Sequence, residues 1–321
     1  MTRMASDFPS TDIPHSIFAG AQLSPDHRLR AFHPVDKGHG AGFVADALMA
    51  PIERAIPGFE VRCDIAMKGR WQDASWTGSS GHVVGRFVAP LWDIPATRRI
   101  VFIRFGCFQR WEAGLVVETL LLLDLPSLMM QAGVWPLAPA MGPDLMAPPP
   151  VGLRGVWPQQ DEASAGSLQL VEGMINGLKK FDGDGLSKMG MTDYWTDDFW
   201  WFGPAPIGSF RGHRDYERGH QLPFLTAFPD RVGGNHRARF GDGMFTASTG
   251  WPSITATHKG GGWLGLAPTD RAITMRVMDF WRRDGDRLAE NWVMIDIPDL
   301  LNQLGIDLFG QMRLIAEARS S

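Results

Sequence analysis

One acidic residue in this sequence stands where it could move a proton. The run Leu288–Asp296 alternates in a way that predicts a strand, and Pro298 opens a short helix just beyond it. On such a strand Glu290, Trp292, Met294 and Asp296 share one face, and Asn291, Val293 and Ile295 share the other. A carboxylate ending an aromatic-bearing face is partly desolvated if it points into a pocket. Desolvation raises its pKa and makes it a stronger base toward carbon acids. The competing expectation is that Asp296 caps the helix that follows. Histidine supplies the other candidate bases: His220 inside an expected helix, and His258 at the end of an expected strand. Arg276 with Glu290, and Arg104 with Glu118, read as structural ion pairs across neighbouring strands. No His-x-x-x-His, Cys-x-x-Cys or clustered-carboxylate pattern points to a metal. Gly260–Gly262 opens no helix and reads as a turn, and Ser79–His82 lacks the spacing of a hydrolase elbow.

The stretch that holds Asp296 is written twice. Glu290–Gly305 reads ENWVMIDIPDLLNQLG and Glu118–Gly133 reads ETLLLLDLPSLMMQAG, so Asp124 stands 172 positions before Asp296. The same register lays Gly40, Pro51, Ala55 and Pro57 on Gly212, Pro223, Ala227 and Pro229, and Arg104 and Phe108 on Arg276 and Phe280. Small gaps between them would pair His82 with His258 and Pro95 with Pro268. So long a period means tandem duplication of one domain, not a solenoid.

In the second copy, Ser167–Gly177 and Leu186–Trp195 read as helices around a Gly183–Gly185 break, and Gly212–Phe228 as a longer amphipathic helix. Strand-like runs follow at His236–Phe240, Met244–Gly250, Ile254–His258, Trp263–Leu266, Ile273–Arg282 and Leu288–Ile295. The last two join across the turn Arg283-Asp284-Gly285-Asp286. Helices first and strands after is an α+β order. The first copy repeats it, but its opening 38 residues are too few for both leading helices.

A chain of 321 residues exceeds the ~250–300 at which single cores stop growing, which favours two domains. The division falls at 1–140 and 167–321, with a Pro- and Gly-rich linker at 141–166. Trp135, Met146 and Trp157 are too apolar for a free tether, so the joint is expected to lie along a surface. A net charge of −4 gives no basic footprint for nucleic acid or an anionic membrane. The longest apolar stretch, Leu115–Met130, is interrupted by Glu118, Asp124 and Pro126 and does not suit a bilayer. Two cysteines without framework spacing, and a start without a continuous apolar run, lead to the expectation of a soluble, cytoplasmic protein.

Three segments together resemble the SnoaL-like polyketide cyclases of the nuclear-transport-factor-2-like superfamily: Tyr194–Gly212 (YWTDDFWWFGPAPIGSFRG), Phe224–Arg231 (FLTAFPDR) and the closing Glu290–Gly305. The resemblance spans nearly all of 167–315 and, more loosely, Gly40–Phe59 and Trp76–Gly133 of the first copy. It implies two cone-shaped α+β domains, each a curved antiparallel sheet wrapped around helices with a pocket at one end. It also implies chemistry without a cofactor, in which an Asp of the closing strand acts as acid and base in an intramolecular aldol condensation. By motif that residue is Asp296, assisted by His220 or His258, with Trp292, Trp263, Trp201 and Phe224 lining an apolar pocket. The expected ligand is a hydrophobic, carbonyl-bearing small molecule such as a polyketide ester, and the expected reaction is of cyclase or isomerase type. A non-catalytic lipophile-binding protein and a structural pseudo-dimer are the alternatives. Single-domain relatives pair sheet to sheet, so the first copy is expected to serve as a built-in partner, and a further homodimer stays open.

Overall fold

The computed structural model describes residues 17–144, 146–151, 163–181 and 186–320; Trp157 and the Gly183–Gly185 break lie outside the described residues. The first copy runs β1 (Leu23–Ala31), β2 (Lys37–His39), α1 (Gly40–Val44), a π turn (Ala45–Met49), α2 (Ala50–Ala55), β3 (Glu60–Trp71), β4 (Ala74–Arg86), β5 (Ile100–Glu112), β6 (Leu115–Leu123) and α3 (Leu125–Gln131). The second opens with α4 (Ser164–Leu178) and α5 (Met191–Tyr194). It continues through β7 (Trp195–Phe202), β8 (Ser209–Arg211), α6 (Gly212–Tyr216), a π turn (Glu217–Gln221) and α7 (Leu222–Ala227). Then come β9 (Val232–Gly233), β10 (Ala238–Asp242), β11 (Phe245–Thr257), β12 (Ala272–Asp284), β13 (Arg287–Ile295), α8 (Ile297–Gln303) and α9 (Leu308–Ser320).

The architecture is α+β, with two sheets of six and seven strands. Their orders, β2-β1-β6-β5-β4-β3 and β8-β7-β13-β12-β11-β10, are one topology used twice, the seventh strand, β9, pairing off this path with β11. The sheets are mixed rather than purely antiparallel: β1 runs parallel to β6 and β7 parallel to β13. In each copy the chain leaves that first strand through a helical segment and returns beside it only after the hairpins, which is the connection a parallel pair requires.

The long helix predicted over Gly212–Phe228 is broken by the π turn Glu217–Gln221. Pro223 sits in the first turn of α7, where it lacks an N–H, and its ring crowds the carbonyl four residues back. One wider turn relieves that conflict. Pro51 does the same to the first copy at Ala45–Met49. Gly212 starts α6 at φ +69, and a Cβ there would meet the Asp197 carbonyl at 2.8 Å. Two predicted strands, Met244–Gly250 and Ile254–His258, are one strand β11 carrying a register shift between Gly250 and Ile254. The predicted strand Trp263–Leu266 is instead a short 3-10 turn over Trp263–Gly265, with Gly262 and Leu264 at positive φ. The hairpin turns at Gly285, φ +58, as its sequence requires.

The copies meet sheet to sheet. Phe108 of β5 and Phe280 of β12 are 5.4 Å apart, and Phe240 packs where Gly69 and Gly78 leave room. Four hydrogen bonds at the edges repeat in the 172-residue register. Ala205 N donates to Asp124 (2.9 Å) as His33 N donates to Asp296 (3.1 Å). Arg104 donates to the Gly203 carbonyl (3.0 Å) as Arg276 donates to that of Ala31 (3.3 Å). Such isologous contacts are those of a two-fold interface. The joint between the copies lies on the second: Ser209 N donates to Pro143 O, and Trp292 Nε1 to Pro148 O. Among the described residues no helix is long and apolar enough to cross a membrane.

Candidate active site

A cavity of about 410 Å³ opens inside the second copy, between its helices and the inner face of its sheet. From β12 it takes Met275, Val277, Asp279 and Trp281, and from β13 Asn291, Val293 and Ile295. These are the odd-numbered faces. The face of β13 that bears Glu290, Trp292, Met294 and Asp296 turns away from the cavity, Met294 and Asp296 toward the first copy and Glu290 and Trp292 toward the joint between the copies. The helical wall adds Met174 and Leu178 of α4, Tyr216 of α6, His220 and Gln221 of the π turn, and Phe224 of α7.

Among the described residues Asp279 is the sole carboxylate on this lining. Burial pushes it from its ordinary 3.8 up to about 7, while the amide of Asn291, 3.5 Å away, and the distant Arg239 and Arg104 pull the other way. A carboxyl so poised exchanges a proton near neutrality, which is what general acid–base chemistry asks of it. His220 stacks on Trp201, ring centroids 4.0 Å apart and 19° from parallel, with Tyr216 and Phe224 around it. Burial alone drops its pKa to about 3, so the imidazole is neutral at any physiological pH. It can accept or donate a hydrogen bond there but carries no positive charge. Both amide atoms of Gln221 are buried without a partner among the described residues.

The structure brings together only part of what the sequence predicted. Trp201, Phe224 and His220 line the cavity; Asp296, His258, Trp292 and Trp263 do not. Asp296 caps α8 by accepting from Asp299 N, and it also accepts from His33 N and from Arg276 at 2.9 Å. Burial raises its pKa to about 7 as well, against the pull of Arg276, so an elevated carboxyl alone does not mark the site. Position does. Trp292 stacks on Phe202 at the contact with the first copy. His258 is fully buried, with Nδ1 3.1 Å from the Thr269 hydroxyl, and burial lowers its pKa. Trp263 packs edge-on against Phe228 beneath α7.

The ion pairs also lie six residues further along the strand than expected: Glu290 faces Arg282, not Arg276, and Glu118 gathers Arg30, Arg110 and, across the copies, Arg237. His82 is no counterpart of His258; it lies opposite Arg104, where the other copy has its β11 bulge. Among the described residues no three His, Cys, Asp or Glu side chains gather as a metal site.

Asp279 was missed for an identifiable reason. The 172-residue register puts it on Cys107, one position from the aligned pair Phe108 and Phe280. Comparing the copies for differences, rather than for matches, points to it.

Residues 190–304 match the model of the SnoaL-like polyketide cyclase family. No curated protein matches the chain. Among solved structures, the putative hydroxylase AclR from Streptomyces galilaeus is 22% identical, with 44% of this chain and 96% of that one covered at a TM-score of 0.36. IdmH, a putative polyketide cyclase from Streptomyces antibioticus, is 19% identical over 44% and 99%, with a TM-score of 0.34. A putative SnoaL-like polyketide cyclase from Jannaschia sp. CCS1 is 12% identical over 44% and 96%, with a TM-score of 0.35. Asp279 and most of the cavity lining thus fall in residues 190–304, the stretch that matches the SnoaL-like family model, while Met174, Leu178 and Phe181 line the cavity from outside it.

Proposed function

We propose that the second copy is a cofactor-independent enzyme of cyclase or isomerase type acting on an apolar, carbonyl-bearing small molecule, with Asp279 as its acid and base. The observation that carries this is one carboxyl on the inner wall of a largely apolar cavity, its pKa raised by burial to about 7. The ionised form takes the proton from a carbon flanked by carbonyls. The resulting enolate carbon attacks a second carbonyl of the same molecule, forming one C–C bond as the C=O π bond breaks. The new alkoxide takes the proton back from Asp279, so the net change is an isomerisation. The Asn291 amide holds Asp279, while His220 and Tyr216 are placed to hydrogen-bond oxygens of the ligand. Asp296 keeps the copies together in this reading, and the first copy acts as the built-in partner of the second.

The test is proton exchange. A β-keto aromatic ester incubated in D2O with the full chain should lose its α-proton signal and, given a second carbonyl in reach, cyclise. Asp279→Asn should abolish both while Asp296→Asn, if folded, retains them. Loss with Asp296→Asn alone would overturn the assignment.

A further inference from the structure

The floor of the cavity is acidic and apolar, but its mouth is cationic. Where α4 ends, Leu178, Lys179 and Phe181 face the segment that follows α7, which contributes Pro229, Arg231 and Val232. Arg231 is half-buried, its guanidinium 5.4 Å over the Phe181 ring, and burial lowers its pKa. Lys179 hydrogen-bonds only the side-chain oxygen of Asn176. Among the described residues no carboxylate pairs with either cation. The acids nearby are engaged elsewhere: Asp230 accepts from Thr257 N, and Glu172 pairs with Arg239. His236, also at the rim, has its pKa lowered to about 4 by burial and by Arg239, so it adds no charge. Among the described residues the lining thus holds two fixed cations against a single carboxyl that is only partly ionised at neutral pH.

A partly desolvated guanidinium with its planar fork unfilled is matched by a carboxylate, which accepts two parallel N–H bonds. An anion at the floor would instead meet Asp279 and be repelled. We propose that the cavity takes an apolar, ring-bearing ligand that also carries a carboxylate, held at the mouth by Arg231 and Lys179 so that the uncharged reacting end reaches Asp279. The proposal rests on reading the cavity as a small-molecule site and names the class of molecule it takes.

Two fluorescent probes of similar ring content test it on the full chain: anilinonaphthalene sulfonate, an anion, and N-phenylnaphthylamine, which is neutral. The anion should bind about tenfold more tightly, the scale of one charge-assisted contact, and lose that margin as salt is raised. The double variant Arg231→Met with Lys179→Met should erase the preference while leaving the neutral probe unchanged, and Arg231→Lys should keep most of it. Filling the mouth with Ile254→Trp should weaken both probes. Equal affinities, an anion that fails to bind, one that survives Ile254→Trp, or equal weakening of both probes by the double variant each overturns the proposal. A chain that prefers the anion yet turns nothing over loses the catalytic reading and keeps this one.

Discussion

The interiors of the two copies share a backbone and almost nothing else. Position by position in the 172-residue register, Asp279, His220, Trp201 and Asn291 of the second copy stand where the first has Cys107, Leu48, Leu29 and Thr119. Leu48 and Ile52 on the helical wall are fully buried, and Phe18 packs edge-on against Phe105 and Phe59. Burial pushes the Cys107 thiol up to about 12, so it stays protonated and inert. The outer faces diverge far less: Asp124 and Asp296 cap the same helix, and Arg104 and Arg276 reach across to the same loop of the other copy. The difference teaches that what is repeated in this chain is the framework, and what is unrepeated is the lining of the candidate site.

The comparison is broken most severely at Asp279. Asp279→Asn should lower turnover by ~10²–10⁴, the usual worth of a positioned acid–base group, whereas no Asp placed at Cys107 should confer activity. The pH profile sharpens the point, since kcat should rise as Asp279 ionises through about pH 7. Stability runs the other way. The folded-state pKa is raised from 3.8 to about 7, so its contribution is fully present below about pH 4 and lost as the pH rises through 7. Melting curves should therefore show Asp279→Asn gaining on the wild type at pH 8 relative to pH 5.

Next in size are the equivalent clasps. Asp296→Ala and Asp124→Ala should each cost ~2–5 kcal/mol in urea unfolding, because each uncaps a helix and leaves a backbone N–H of the other copy without its acceptor. Closely matched losses would support equivalence; a loss at one site only would end it. The helical walls come third. Leu48→Ala opens a void in a packed interior and should cost ~2–5 kcal/mol. The smallest effect is a gain: His220→Leu makes the second copy resemble the first and should stabilise by ~0.5–2 kcal/mol at neutral pH. The gain should widen in acid. The depressed pKa of His220 means its stability contribution is present above about pH 6.5 and lost as the pH falls toward about 3.

Much of the fold was legible because it was written twice. The register that aligned Pro51 with Pro223 and Asp124 with Asp296 correctly paired α2 with α7 and the caps of α3 and α8. What periodicity could not reveal was which face of β13 looks inward. Both faces are apolar enough to be buried, since one packs against the first copy and the other lines the cavity, and alternation alone does not rank two buried faces. Trp292 drew attention to the wrong one. Strand β7 hid behind Asp197 and Asp198, and the π turn was invisible because a proline near a helix start is ordinarily a good sign. Resemblance placed the domain, but the choice between Asp296 and Asp279 needed three dimensions.

The isologous clasp has one more consequence, because the two halves it joins are covalently one chain. In a symmetric dimer every substitution occurs twice, so an interior that keeps a buried acid, a neutral histidine and a void must carry those costs in both subunits. Here the partner can never dissociate, and the contact forms at the high effective concentration of a tether whatever the protein's abundance. Each half is free to change alone. One has become densely packed and can lend its rigidity through the shared sheet contact. The other keeps the cavity lined by Asp279, His220 and Trp201.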